Sequence, residues 1–171
     1  MKYLLMTTCL LLAACKQEVA EAPEPVSMTS DALSFFCQMS IGEHGGPKGQ
    51  IHLEGFPQPL FFGQVRDLVA YIKAPERDAQ ITAIYVSDTG AAQSWAVMGV
   101  DNWVSADETH FVVGAGVAGG MGAPEIVPFA NSSQAREFAD IYGGDVMMLN
   151  LIPDDAALGP VDLNQQLETP L

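Results

Sequence analysis

Phe61-Phe62-Gly-Gln-Val65-Arg-Asp-Leu-Val-Ala-Tyr-Ile-Lys73 is the stretch that decides how the chain folds. Val65, Leu68, Val69 and Ile72 fall at i, i+3, i+4 and i+7, one face of an α-helix, and Pro75 stops it. Ahead of this helix, Ser34-Phe-Phe-Cys-Gln-Met-Ser-Ile41 and Gln50-Ile-His-Leu-Glu54 read as strands. They are joined through Gly45-Gly-Pro-Lys-Gly49 as a hairpin with a long tip. Behind it, Ile81-Thr-Ala-Ile-Tyr-Val86 is a β-branched strand closed by Ser87-Asp-Thr-Gly90. A similar order returns downstream. Phe111-Val-Val113 and Ile126-Val-Pro-Phe129 are extended, and Ser132 or Ser133 caps a helix running to Tyr142. Gly143-Gly144 ends that helix, and Asp145-Val-Met-Met-Leu-Asn150 closes the half as a strand. The expectation is an α+β fold, two β-β-α-β modules in one compact domain, each with a Phe just ahead of its helix.

Outside this unit the chain changes character. Residues 1–14 pair Lys2 with a short apolar run and small residues, the pattern of an export signal and too short for a permanent membrane span. Leu12-Ala13-Ala14-Cys15 resembles the bacterial lipobox, in which the Cys takes a diacylglycerol and becomes the first mature residue. Two or more acyl chains anchor stably where one is marginal. Lys16 in place of an Asp leans toward the outer membrane. Residues 15–32, rich in Glu, Ala and Pro, read as a lipidated tether, 33–152 as the folded domain and 153–171 as a flexible tail. The whole chain of 171 residues carries 7 Lys plus Arg against 21 Asp plus Glu, a net charge of −14. Such a field repels phosphate backbones, and nucleic acid is excluded as a partner.

Three cysteines do not make a disulfide scaffold. With Cys9 removed with the signal and Cys15 lipidated, Cys37 is the one free thiol of a protein exported to an oxidising compartment. Such a thiol is either buried in the core or bound to something. In a strand, residues two apart share a face, which would place Met39 beside Cys37. A thiolate with a thioether selects Cu(I), which tolerates two or three ligands. Gly114-Ala-Gly-Val-Ala-Gly-Gly-Met-Gly-Ala-Pro124 offers a third soft donor, Met121, on a glycine-flanked loop able to swing onto that pair. The same segment mimics the dinucleotide fingerprint after a strand, but Gly120, Gly122 and Pro124 forbid the helix that the fingerprint requires. His44 sits at the hairpin tip, solvated or within reach of a metal. His52 alternates with Ile51 and Leu53 and reads as exposed, and His110 precedes a strand. No zinc cluster, blue-copper order or hydrolytic triad is spaced correctly.

Cys37-Gln38-Met39, Gly46-Pro47-Lys48-Gly49-Gln50-Ile51 and Gly119-Gly120-Met121-Gly122, together with the lipobox, resemble the nitrous oxide reductase accessory lipoproteins, the NosL family. The resemblance implies a periplasmic, lipid-anchored Cu(I) chaperone with no catalytic turnover and a fold related to organomercurial lyase. It implies two partners, apo nitrous oxide reductase, whose copper centres (mainly the catalytic cluster) are assembled, and an ABC-type maturation complex. By motif, the metal ligands fall on Cys37, Met39 and Met121. The middle residue of Cys-x-Met is often Gly in this family, and here it is Gln38. Two other readings of Cys37 stand beside this one: the nucleophile of a thiol-dependent, lyase-like enzyme, and a thiol buried in a structural lipoprotein.

Overall fold

A computed structural model describes residues 22–77, 79–162 and 164–170. The signal 1–14 and Cys15 lie outside the described residues. The chain runs β1 (Gly49–Leu53), β2 (Leu60–Phe62), α1 (Val65–Lys73), β3 (Ile81–Ser87), β4 (Trp103–Ser105), β5 (His110–Val113), β6 (Val127–Phe129), α2 (Ser132–Tyr142), β7 (Asp145–Met148) and α3 (Asp154–Leu158). Two antiparallel sheets result, ordered β2-β1-β3-β4 and β6-β5-β7. Each half is β-β-α-β with its first strand in the middle, and Phe62 and Phe129 each stand three residues before the helix that follows.

Both helices form where the apolar spacing places them. α1 buries Val65, Leu68, Val69 and Tyr71. α2 is capped by Asn131, whose side chain accepts from the Ser133 amide, rather than by either serine. The run Phe111-Val112-Val113 is apolar throughout because β5 has a core on both faces. Phe111 and Val113 join Ile51, Phe62, Leu68 and Val86, whereas Val112 joins Val127, Phe129, Ala135 and Trp95.

The expected strand over Ser34–Ile41 does not form. Only Leu33↔Ser40 and Ser34↔Phe61 bridge, and Phe35–Cys37 make one helical turn. That turn closes when the Gln38 amide donates to the Ser34 carbonyl at 2.8 Å. Gln38 is left-handed, at φ 57°. A residue in that conformation just past a helical turn is a helix C-terminal cap, and glycine takes it without strain. The Gly that the family resemblance leads one to expect at this position has here its physical reason. The first strand of the first half is therefore β1, and the Phe61-Phe62 pair ahead of α1 belongs to β2.

Both ends of the chain pack where the sequence suggests loose segments. Part of the expected tether lies along β1 and β3. The Val26 amide donates to Gln50 Oε1 at 2.9 Å and Gln50 Nε2 donates back to the Val26 carbonyl at 3.0 Å. Tyr85 donates to the Pro23 carbonyl, Met28 to that of Val100, and Ser27 bonds Asp101. This strap lies on the Gln50 side of β1, so His52 is nearly buried (9 % exposed) instead of facing solvent. Its Nε2 pairs with Gln50 Oε1 at 2.9 Å, and burial pushes its pKa down. At the other end, α3 packs on α1 and Arg66 Nη2 donates to the Gly159 carbonyl. The Glu168 backbone exchanges hydrogen bonds with Gly116 and Ala118.

Candidate metal centre

Cys37 reaches its position because its neighbour is tied to the core. Phe35 packs on Phe62 (ring centroids 5.9 Å apart) and edge-on to Tyr71 (5.5 Å), and its amide donates to the Phe61 carbonyl. The apolar residue of the turn that goes inward is thus Phe35. Cys37 itself is partly exposed, and it is the free cysteine of the described residues. Met39, two residues on, is 42 % exposed. Its carbonyl accepts from the Ser34 amide at 2.9 Å, closing the 34–39 loop on itself. Cys37 and Met39 therefore sit on one tight loop and not on a strand.

Met121 sits on a turn more tightly built than a flexible glycine loop would be. Ala118 bridges Pro124, the Gly119 amide donates to Ala123 O, and the Gly122 amide donates to Gly119 O. A Cβ on Gly120 would lie 2.7 Å from His44 Cβ and 2.8 Å from the Gly45 carbonyl, so glycine is required there by close approach. The freedom that remains is in the Met121 side chain, 40 % exposed and unbranched.

The two loops are held by consecutive residues at the start of α1. The Gly63 amide donates to Ser34 Oγ at 3.1 Å, fixing the Cys37 loop. Gln64 Oε1 accepts from the Met121 amide at 3.2 Å, fixing the Met121 turn. Glu125 secures the same helix start from below, its Oε1 accepting from the Arg66 amide at 3.0 Å and from the Ile126 amide at 2.9 Å. Burial pushes the Glu125 carboxyl up to about 8 against those two bonds.

His44 lies against Gly120, and its Nε2 is buried with no hydrogen-bond partner among the described residues. His52 faces the strap instead, and His110 is at the end of β5 away from the glycine-rich segment. No group of three or more His, Cys, Asp or Glu among the described residues could hold a metal ion. The soft donors that the two loops carry are the sulfurs of Cys37, Met39 and Met121.

The sequence did not reveal the roles of Gln64, Lys48 and Glu125. Lys48 alone left a signal: a cation between Gly-Pro and Gly-Gln at the start of a strand, in a chain with few cations.

Two packed antiparallel sheets carry soft sulfur side chains on two loops seated at the start of α1, an arrangement suited to carrying a soft metal ion. The chain belongs to the NosL family, whose model matches residues 25–157. It is 46 % identical over 168 residues to the copper-binding lipoprotein NosL of Achromobacter cycloclastes, covering 97 % of this chain and 87 % of that one. Its fold matches the crystal structure of the copper chaperone NosL from Shewanella denitrificans with a TM-score of 0.71 at 29 % identity, covering 75 % of this chain and 95 % of the other. It also matches the solution structure of apo-NosL from Achromobacter cycloclastes, with a TM-score of 0.50 at 47 % identity over 71 % and 97 % of the two chains. These relatives are binding proteins and chaperones by name, not enzymes. No helix among the described residues is long and apolar enough to cross a membrane.

Proposed function

We propose that this protein is a periplasmic chaperone, anchored through lipidated Cys15 and held at the outer membrane, that carries one Cu(I) on Cys37, Met39 and Met121. It delivers that ion to apo nitrous oxide reductase, mainly for the catalytic cluster, and works alongside an ABC-type maturation complex. The observation that carries this reading is the seating of the Cys37 loop and the Met121 turn on Gly63 and Gln64, neighbours in sequence. Cu(I) accepts two or three soft ligands, so an acceptor's ligand can join before Met121 leaves, and the ion passes over without being released to water. The metal is cargo: no bond to carbon is made or broken, and the ion stays Cu(I) throughout.

An anaerobic titration of residues 16–171 against a chromophoric Cu(I) chelator tests this. One tight equivalent is expected. Cys37→Ser should abolish competition with the chelator, and Met121→Ala should weaken binding about tenfold, or about 1.4 kcal/mol. A Cys37→Ser protein that holds Cu(I) as tightly as the parent would refute the reading. Mixing the loaded protein with apo nitrous oxide reductase, and following copper and activity in the enzyme, tests the acceptor.

A further inference from the structure

A buried cation stands behind the two loops. Lys48 is 2 % exposed, and its ammonium donates to four carbonyl oxygens. They are His44 O at 2.6 Å, Gly45 O at 3.0 Å, Gly46 O at 2.9 Å and Gly63 O at 3.1 Å. Three N–H groups facing four acceptors means one is shared, and the oxygens converge on a single point. Burying an ammonium is costly, and removing it would leave carbonyls unpaired, so it is tolerated only where it is fully bonded.

What these carbonyls support is the metal loops. Gly45 O and Gly63 O are the surface on which Gly120 rests, since a Cβ there would fall 2.8 Å from the first and 3.3 Å from the second. The next residue is Met121. Gly63 is also the residue whose amide holds Ser34 and so the Cys37 loop. One glycine thus gives its N–H to the thiol-bearing loop and its C=O to Lys48, and the Met121 turn lies on that same C=O. An apolar side chain at position 48 could fill the space but could not draw the 44–46 turn and the start of α1 onto one point.

We propose that Lys48 is a positioning residue for the metal centre, its ammonium setting the distance between the Cys37/Met39 loop and Met121. This rests on Cys37, Met39 and Met121 being the Cu(I) ligands. Loss of the ammonium lets the 44–46 turn and Gly63 separate, Gly120 loses its seat, and Met121 no longer reaches the ion bound at Cys37.

The test is a double-mutant cycle on Cu(I) affinity with Lys48→Leu, Met121→Ala and the double variant, a pair that adds no sulfur. In the parent, Met121→Ala is expected to cost about tenfold. In the Lys48→Leu background the same change should cost nothing, because the thioether has already been lost. X-ray absorption of the Cu(I)-loaded Lys48→Leu protein should show two sulfur ligands where the parent shows three, a change that a general loss of stability would not produce. If Lys48→Leu does not fold, Lys48→Arg takes its place: the planar guanidinium keeps the charge but cannot converge on four carbonyls, and the cost of Met121→Ala should again shrink. A Met121→Ala cost that persists in a folded position-48 variant, with three sulfurs retained, overturns the proposal alone. No Met121→Ala cost in the parent overturns the ligand assignment and the positioning role together.

Discussion

Gly120→Ala adds one methyl group and touches no sulfur, yet it should weaken the proposed metal centre. The new Cβ would sit 2.7 Å from His44 Cβ and 2.8 Å from the Gly45 carbonyl oxygen. Carbon contacts are comfortable at about 3.5 Å, so the turn has to retreat by roughly 0.8 Å. The bond from the Met121 amide to Gln64 Oε1 is already 3.2 Å long, and such a retreat stretches it beyond hydrogen-bonding range. Overpacking of this kind costs about 1–3 kcal/mol, and the lost bond adds about 1 kcal/mol. Together about 2–4 kcal/mol, at roughly 2–4 °C per kcal/mol for a chain of this size, should lower Tm by about 4–16 °C. The assay is thermal unfolding of the apo protein, with Cu(I) competition at a temperature where the variant is fully folded, where affinity should drop about tenfold. Gly42→Ala is the control, since a Cβ there meets nothing within 4 Å. A Gly120→Ala protein matching the control in both Tm and affinity would refute the close-approach reasoning.

Two further outcomes follow from groups beneath and beyond the site. Glu125 is raised to about 8 by burial, so between about 4.5 and about 8 the folded protein holds a proton that the unfolded chain has released. Its contribution to stability is complete in acid and is lost as pH rises through about 8. Relative to Glu125→Gln, the parent should lose stability steadily from pH 5 to 8 in chemical denaturation; parallel curves would contradict a buried neutral acid. Deleting residues 153–171 removes the Arg66–Gly159 bond and the two Glu168 backbone bonds, about 3 kcal/mol together. The truncated protein should melt about 6–12 °C lower, and an unchanged Tm would show that the docked tail contributes nothing.

Much of this fold is written in local periodicity, and what is not local stays hidden. Val65, Leu68 and Val69 mark α1 unambiguously, and β5 reads as an apolar run because it is buried on both sides. Phe35, Cys37 and Met39 alternate as a strand would, but alternation cannot say whether a partner strand exists. Here Phe35 enters the Phe62–Tyr71 cluster while Gln38 turns left-handed, and no glycine marks the bend. Cys37, Met39 and Met121 could be singled out by their chemistry and by family resemblance. Gln64 and Glu125 could not, since their partners lie 57 and 59 residues away along the chain. The packing of α3 was equally silent, because Asp154-Asp-Ala-Ala-Leu158 is too short to show a period. β4 is only three residues long and escaped for the same reason.

The docked strap sets the length of the leash. Ala22 and Pro23 lie beside Leu53–Phe56 and Gln80–Thr82, at the end of β1 opposite Lys48. A free chain from residue 15 to 32 could extend about 60 Å, whereas the stretch ahead of Pro23 spans at most about 25 Å. A lipid on Cys15, as proposed, would moor the protein short and by its far end. Moored that way, the Cys37 loop and the Met121 turn would face the aqueous side, and an acceptor would come to them rather than be searched for by a head sweeping the membrane surface.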